Sequence, residues 1–242
     1  LSQSERFDPR GEFIRHWLPE LAGLERKAIH DPSSLGLFAG VDYPRPMVDL
    51  KASRERALAA RGAAIATGWS GSLTMGAGQF CTNPGIVVLL MGADADKYVE
   101  TATEALSAVG PQTMLTDGIA DAYRKGATKI AGTAGVRSVL TSTCDLRNAT
   151  PYLFQTTAKD WLDNHVLGEE VFGPLGLIVI AESEDEMVAM ARSLSGQLTA
   201  SIHLADGDET LGKRLMPILE RKAGRILANG FPTGVEVADS MV

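Results

Sequence analysis

One cysteine stands in a setting where a thiol can react instead of filling space. The stretch "GQFCTNPG" places Cys81 between two glycines and just before an Asn-Pro-Gly turn. A thiolate is the strongest nucleophile among side chains near neutral pH, and small neighbours let a substrate carbonyl approach the sulfur. A nearby backbone N–H can stabilise the oxyanion formed on attack. The pattern indicates thiol chemistry at Cys81, with a small buried hydrophobe beside a turn as the alternative.

The other reactive residue types predict no metal site and no dinucleotide loop. "GAGQFC" lacks the third glycine of a dinucleotide fingerprint, and a strand pattern follows it where a helix should begin. His165 and His203 have no partners at metal-ligand spacing. Cys144 lies at the end of a predicted strand and is expected to be a small buried residue. With only two cysteines, no disulfide framework is expected, and a reducing cytoplasm is the predicted location.

Beyond residue 70, strand patterns alternate with helix patterns, which predicts an α/β fold with a mostly parallel sheet. Strands are expected in "GIVVLLMG", "RSVLTST", "TPYLFQTT", "LGLIVIAE", "LTASIHLA" and "GRILANG". Helices are expected in "DADKYVETATEALSAVG", "DGIADAYRKGATKIAG", "SEDEMVAMARSL" and "DETLGKRLMPILERKAG". Asp94 is the predicted cap of the first helix, Ser183 and Glu186 form a capping box in the third, and Pro217 predicts a kink in the fourth.

The first 60 residues have a different texture, rich in charge, proline and aromatic side chains. "EFIRHWLPEL" predicts a short amphipathic helix with Phe13, Trp17 and Leu21 at helical spacing. "DLKASRERALAARGAAIATGW" predicts a second helix that is interrupted or ends near Gly62. No sustained strand pattern occurs before residue 70.

Composition narrows the class of protein. The chain has 242 residues, 45% hydrophobic and 22% charged, which is typical of a folded globular protein with one or two domains. Its formal net charge of -7 argues against binding to nucleic acid or to anionic membranes. The longest apolar runs are too short to cross a bilayer. The polar first residues lack a secretory pattern, and the initial Leu suggests a truncated start.

Four separated motifs in order, "GQFCTNPG", "EEVFGPL", "GQLTASIHL" and "GRILANG", resemble the catalytic domain of the aldehyde dehydrogenase superfamily over residues 61–242. The phrases "GSLTMGAGQFCTNPG", "VGPQTMLTDGIADAYRKG" and "NGFPTGVEV" look most like the branch that oxidises α-ketoglutarate semialdehyde (2,5-dioxopentanoate) with NAD or NADP. The resemblance implies a small-molecule aldehyde substrate, no metal, and oxidation to a carboxylate through a cysteine thioester.

The resemblance also assigns roles to individual residues. It implies that Cys81 is the nucleophile and that its backbone N–H holds part of the oxyanion. Glu170 matches the acid that hydrogen-bonds the nicotinamide ribose, and Phe172 matches the aromatic beside the nicotinamide. Their structural alternatives are a solvated acid and a core phenylalanine. A final set matches the loop that lines the substrate tunnel, and comprises the weaker candidates Asn229, Phe231 and Thr233.

Several parts of the family pattern have no match in this sequence. These are the lysine and glycines that hold the cofactor, the asparagine of the oxyanion hole and the glutamate that serves as general base. In the family, the residues before the position of Gly62 continue back to the glutamate motif, whereas here they read "MVDLKASRERALAA". The family is homo-oligomeric, and its last, subunit-pairing strand has no counterpart before Val242. The chain is therefore expected to be truncated and impaired.

Residues 4–60, from "SERFDPRGEFIRHWLPELAGL" through "YPRPMVDLKASRERALAA", resemble the C-terminal tail of the DNA photolyase and cryptochrome family. Ser33 replaces the tryptophan usual there, the flavin pocket has no match, and FAD is not expected. Trp17 and Trp69 are interpreted as packing residues. The chain is thus predicted to be a chimera of a helical photolyase-like segment, 1–60, and an aldehyde dehydrogenase-like domain, 61–242. The alternatives are a DNA photolyase remnant and a non-catalytic fragment with exposed apolar patches.

Overall fold

The computed structural model describes residues 3–32, 50–141, 145–205 and 207–233. Its contacts divide the chain into two units, Leu1–Arg56 and Ala57–Val242. The division falls inside one long helix, Leu50–Thr74.

The first unit is helical in the part that is described. It contains helices α1 (Gln3–Phe7) and α2 (Glu12–Trp17), followed by single 3-10 turns. The Asp8 carboxylate accepts hydrogen bonds from the backbone N–H groups of Glu12 (2.7 Å) and Ile14 (3.1 Å), which caps the start of α2.

The predicted amphipathic stripe of this unit is wrong in its first two members. Phe13 and Trp17 are 68% and 64% exposed, whereas Leu21 is 1% exposed. The helix ends at Trp17 because Leu18 leaves the helical region (φ -127°) before Pro19, as residues preceding proline tend to do. Leu21 therefore lies in the next 3-10 turn and does not continue the helix face. Trp17 contacts two aromatic rings of its own helix but is largely exposed, so its interpretation as a packing residue is wrong.

The described residues of the second unit form eight strands. A four-stranded sheet has the order β1-β6-β5-β3, β2 pairs with β4, and β7 pairs with β8. Pairing is parallel for β1 with β6, β5 with β6, and β7 with β8, and antiparallel for β3 with β5 and β2 with β4. The bounds are β1 Ile86–Leu90, β2 Gln112–Thr113, β3 Arg137–Leu140, β4 Asn148–Ala149, β5 Tyr152–Thr157, β6 Leu175–Ala181, β7 Gln197–Ile202 and β8 Ala223–Ala228.

Helices alternate with these strands, as the sequence predicts. Thr116 caps α5, and the Ser183 hydroxyl caps α7 by accepting from the Glu186 backbone N–H. Pro217 lies inside α8. The bounds are α3 Leu50–Thr74, α4 Ala93–Ser107, α5 Asp117–Ala131, α6 Ala158–Asp163, α7 Glu184–Ser193 and α8 Glu209–Leu219.

The four-stranded sheet is covered on both faces. Alternate residues of the central strands point to opposite sides, because side chains on a strand alternate. Leu153 and Ile178 pack with Trp69 and Leu73 of α3 and with α4. Phe154 and Leu177 pack on the other face with α5, α6 and α7. The fold is therefore an α/β layered domain, and the predicted fold class is confirmed.

Two local predictions in this unit are wrong. Helix α3 continues through Gly62 without interruption. A helical glycine costs only about 1 kcal/mol, and burial of residues such as Trp69 and Leu73 on the same helix offsets that cost. Gly92, not Asp94, occupies the cap position of α4, and Asp94 lies in the first turn. A carboxylate there is still favourable beside the helix dipole.

The part of the chain that the structure describes lacks two kinds of feature. No helix is long and apolar enough to cross a membrane. No cluster of three or more histidine, cysteine, aspartate or glutamate side chains is placed to hold a metal ion.

Candidate active site

Cys81 lies in a tight turn between helix α3 and strand β1. After Thr74 the chain makes a left-handed turn in which Gly76, Ala77 and Gly78 all have φ between 55° and 65°. Phe80 then opens a second turn, closed by the hydrogen bond from the Asn83 backbone N–H to the Phe80 carbonyl (3.0 Å). Cys81 is exposed at this turn. The alternative of a buried space-filling residue therefore does not describe Cys81.

The left-handed turn requires glycine at Gly78 for two reasons. Its φ of 65° is unfavourable for a residue with a Cβ. A Cβ built there would also lie 2.3 Å from the Gly173 carbonyl carbon and 2.4 Å from the Pro174 nitrogen. The backbones of "GQFCTNPG" and "EEVFGPL" thus touch directly. Their strands β1 and β6 are parallel neighbours, with Ile86 paired to Leu177, which brings both loops to the same edge of the sheet.

Three side chains stabilise residues 76–84, which together form the cysteine turn. The Asn83 Nδ2 donates to the Leu73 carbonyl (2.7 Å), and the Trp69 Nε1 donates to the Pro84 carbonyl (2.8 Å). Gln79 joins the turn to a separate loop, because its Oε1 accepts from the Leu115 backbone N–H (2.8 Å). Its Nε2 donates to the Gly76 carbonyl (3.1 Å). Trp69 is buried, which confirms its interpretation as a packing residue.

The backbone N–H groups of Cys81 and Thr82 donate no hydrogen bond to any residue that the structure describes. An amide N–H in that state beside an exposed thiol can donate to an incoming oxygen atom. The turn therefore offers both a nucleophile and a donor for the charge that develops when a carbonyl is attacked.

The two adjacent acids before β6 differ in their partners. Glu169 pairs with Lys129 of α5 at 2.5 Å. Glu170 is exposed and makes no hydrogen bond or ion pair with a described residue. Phe172 is half-buried. The free carboxylate is thus the one that the sequence singles out for a ribose hydroxyl.

Residues 229–233 follow β8 and run along helix α3. Asn229 adopts φ 53° and its Oδ1 accepts from the Leu204 backbone N–H and from Arg61 Nη2, both at 3.0 Å. Phe231 packs so closely on α3 that a Cβ on Gly68 would lie 2.4 Å from its ring. The amide oxygen of Asn229 is therefore engaged in holding the loop.

The far end of this segment reaches the cysteine turn. The Thr82 hydroxyl donates to the Thr233 carbonyl (2.9 Å), so exposed Thr233 lies next to the neighbour of Cys81. A narrow crevice here, without room for a water molecule, is lined by Ser72, Met75, Phe80, Thr82, Asn83, Pro84, Pro232 and Thr233. Of the three tunnel candidates, Thr233 is the one that the structure brings to the cysteine turn.

The remaining sequence candidates lie elsewhere. His203 contacts Phe231 with ring centroids 4.8 Å apart and the ring planes tilted by 35°. Burial, with a contribution from the charge of Arg61, lowers the pKa of His203. His165 is exposed and lines a separate cleft of about 180 Å³ with Trp161 and Gln197. Cys144 lies outside the described residues.

Sequence reasoning missed the residues that support the site. Gln79, Thr82 and Arg61 make the hydrogen bonds that join the cysteine turn and the 229–233 segment to their surroundings. A pattern in the sequence does not reveal such bonds, because Thr82 and its acceptor are 151 residues apart. The one available signal was that Gln79 and Thr82 belong to the same short motif as Cys81.

Comparison with known proteins supports both resemblances. The chain is 44% identical over 216 residues to an alpha-ketoglutaric semialdehyde dehydrogenase of Azospirillum brasilense, a match that covers 87% of this chain and 40% of that protein. A solved NAD-dependent aldehyde dehydrogenase from Sinorhizobium meliloti matches with a TM-score of 0.58 and 22% identity, covering 72% of this chain and 36% of that one. The predicted resemblance to aldehyde dehydrogenases is confirmed.

The first residues match a different family. The model for the FAD binding domain of DNA photolyase matches residues 1–63. A deoxyribodipyrimidine photo-lyase of Streptomyces griseus is 55% identical over 62 residues, which cover 25% of this chain and 14% of that protein. The predicted photolyase resemblance is confirmed as well. Because the dehydrogenase match covers 87% of the chain, the two matches share residues, and the boundary at 60/61 stays a prediction.

Proposed function

We propose that this protein acts on aldehydes through Cys81, forming a thioester on the way to a carboxylate, with NAD or NADP as electron acceptor. The observation that carries the proposal is the cysteine turn itself. An exposed thiol, amide N–H groups without partners among the described residues and the "EEVFGPL" loop meet at one edge of the sheet. The chain spans 40% of the length of its dehydrogenase relative.

The first step is addition of the Cys81 thiolate to the aldehyde carbon. The new C–S bond turns the carbonyl oxygen into an oxyanion, which the Cys81 backbone N–H stabilises by donating a hydrogen bond. The left-handed turn at 76–78 keeps the sulfur exposed, and its contact with Gly173 fixes the turn against the next loop.

Two residues fit the nicotinamide end of a dinucleotide. The carboxylate of Glu170 is free to accept from ribose hydroxyl groups, and the half-buried ring of Phe172 offers an apolar face. A bound nicotinamide would accept the hydride that leaves the former aldehyde carbon as the oxyanion of the Cys81 adduct re-forms a C=O bond and gives the thioester. NAD and NADP remain alternatives, because neither residue reads the phosphate that distinguishes them.

Hydrolysis of the thioester is expected to be the slow step in this chain. Among the described residues, no carboxylate bonds to the cysteine turn. A positioned general base is worth ~10²–10⁴-fold in rate. We therefore expect the acylated form of Cys81 to accumulate.

The decisive experiment is acylation with an activated ester, p-nitrophenyl acetate, followed by mass spectrometry of the intact chain. One acetyl group on Cys81 is expected in the parent and in Cys144→Ala, and none at that position in Cys81→Ala. Equal labelling of the parent and Cys81→Ala would contradict the proposal.

The proposed substrate is α-ketoglutarate semialdehyde. The sequence segments around Cys81 support this assignment. So does the 44% identity with the alpha-ketoglutaric semialdehyde dehydrogenase of Azospirillum brasilense. At equal concentrations, this aldehyde should protect Cys81 from iodoacetamide better than pentanal does. Equal protection would restrict the proposal to aldehydes in general. A cytoplasmic location is a further proposal, which rests on the low cysteine content.

A further inference from the structure

Two buried hydroxyl groups hold the segment Phe231–Thr233 beside the cysteine turn. The Ser72 hydroxyl donates to the Pro232 carbonyl at 2.6 Å, and the Thr82 hydroxyl donates to the Thr233 carbonyl at 2.9 Å. Ser72 is 8% exposed and Thr82 is 7% exposed. A buried hydroxyl that loses its acceptor pays a desolvation cost, so both bonds strongly favour the docked segment.

The two donors lie on opposite sides of Cys81 in the sequence. Ser72 lies in the last turn of α3, before the left-handed residues, and Thr82 directly follows Cys81. Both line the same crevice, together with Phe80. The docked segment therefore lies against the residues that directly precede and follow Cys81.

We propose that Ser72 and Thr82 are positioning residues, which fix Phe231–Thr233 beside Cys81 and so select carbonyl compounds by the chain beyond the carbonyl carbon. The inference rests on the proposed function, since it takes Cys81 as the reacting group. Neither hydroxyl takes part in bond making. Each acts through the backbone carbonyl that it holds.

The chain offers a matched set of variants. Thr82→Val removes the hydroxyl and keeps the shape, whereas Thr82→Ser keeps the hydroxyl. Ser72→Ala removes the other donor at a helical position where alanine is favourable, so it serves if Thr82→Val fails to fold. Thr74→Val is the control, because Thr74 is also buried but its hydroxyl bonds within its own helix, to the Ser70 carbonyl at 2.8 Å.

The first measurement is hydrogen–deuterium exchange of the peptide that contains residues 229–233 in the full chain. Exchange should be about fivefold faster in Thr82→Val and in Ser72→Ala than in the parent. Thr82→Ser and Thr74→Val should stay near the parent. Equal exchange in Thr82→Val and Thr82→Ser would overturn the positioning role.

The second measurement is the ratio of two Cys81 acylation rates, with mono(p-nitrophenyl) glutarate and with p-nitrophenyl acetate. The ratio should change by about threefold or more in Thr82→Val and Ser72→Ala and return to the parent value in Thr82→Ser. A constant ratio in a reactive parent would overturn the selectivity alone. A parent that forms no Cys81 adduct with either ester would overturn the proposed function, and the selectivity with it.

Discussion

Neighbouring residues of one type can have different partners, and Glu169 and Glu170 are such a pair. Glu169 forms a surface ion pair with Lys129, in which both side chains are about half exposed. Pairs of this kind contribute little to stability. Glu170 keeps its carboxylate available to a ligand in the described structure. The difference leaves Glu170, and not Glu169, available for the ribose contact proposed above.

Glu170→Gln should weaken protection of Cys81 by a nicotinamide dinucleotide. Replacing the carboxylate removes a charge-assisted hydrogen bond to the ribose, so the concentration for half-protection against iodoacetamide should rise about tenfold. Glu169→Gln should stay within about twofold of the parent, because it loses only an exposed ion pair. Equal shifts in the two variants would refute the assignment of the ribose contact to Glu170.

The sequence motifs identify the residues of the candidate site, but they do not identify the hydrogen-bond and ion-pair partners of these residues. The sequence singled out Cys81, Glu170 and Thr233 and placed them in three separate stretches. The hydrogen bond from Thr82 to Thr233 links residues 151 positions apart, and the Lys129–Glu169 pair spans 40 positions. Such contacts follow from tertiary packing, which local spacing does not encode.

At the scale of elements, the turn between α3 and β1 depends on backbone conformation more than on side chains. Three successive residues adopt left-handed φ values, and one of them, Ala77, bears a Cβ. A residue of this kind stores of order 1–3 kcal/mol of strain, which surrounding contacts must offset. The hydrogen bonds of Gln79 and Asn83 and the contact with Gly173 supply that support.

Gly78→Ala should disrupt this turn. The added Cβ would combine a φ of 65° with a 2.3 Å approach to the Gly173 backbone, so a loss of about 3 kcal/mol or more in unfolding free energy is expected. Cys81 acylation should fall in parallel. Urea unfolding followed by circular dichroism measures the first effect.

Gly71→Ala is the matched control for that substitution. Gly71 is exposed in helix α3, and nothing lies within 4 Å of an added Cβ. Alanine there should stabilise the chain by up to about 1 kcal/mol, because it favours the helix. A Gly78→Ala variant as stable as Gly71→Ala would show that the turn tolerates a side chain.

Elements with strong periodicity were predicted well, and their ends were not. The apolar runs at β1, β5 and β6 are strands because both sheet faces are buried. The end of α2 at Trp17 and the passage of α3 through Gly62 differ from expectation. In both cases a local signal, helical spacing or a glycine, was outweighed by the conformation of a neighbour or by packing along the helix.

At the scale of the whole molecule, the net charge bears on whether the protein binds DNA. The formal net charge is -7, although the first 63 residues match a domain of a DNA-repair family. Like charge repels the phosphate backbone, and affinity for nucleic acid comes largely from neutralising phosphates. The balance of charges therefore opposes the DNA-binding alternative.

The full chain should show no saturable binding to a fluorescent DNA duplex at near-physiological salt, with any Kd weaker than roughly 10⁻⁴ M. Fluorescence anisotropy at two salt concentrations measures this. Saturable binding that weakens steeply as salt rises would instead support a photolyase-like role. Flavin absorbance in the same purified sample is not expected, and its presence would point the same way.

Strand order is the part of the architecture that the sequence did not provide. Alternating strands and helices predicted parallel pairing, which holds for β1, β6 and β5. The antiparallel β3 and the separate β7–β8 pair were not anticipated. The pattern of apolar residues along a strand indicates which of its faces is buried, but it does not indicate which neighbouring strand it pairs with.

Where Gly78 approaches Gly173, the two loops meet backbone against backbone, with no side chain of either residue between them. A displacement of the loop that carries Glu170 would therefore also displace the turn that carries the Cys81 sulfur. A graft of "GQFCTNPG" into another protein should therefore include Gly173 and Pro174, because the turn is packed against their backbone.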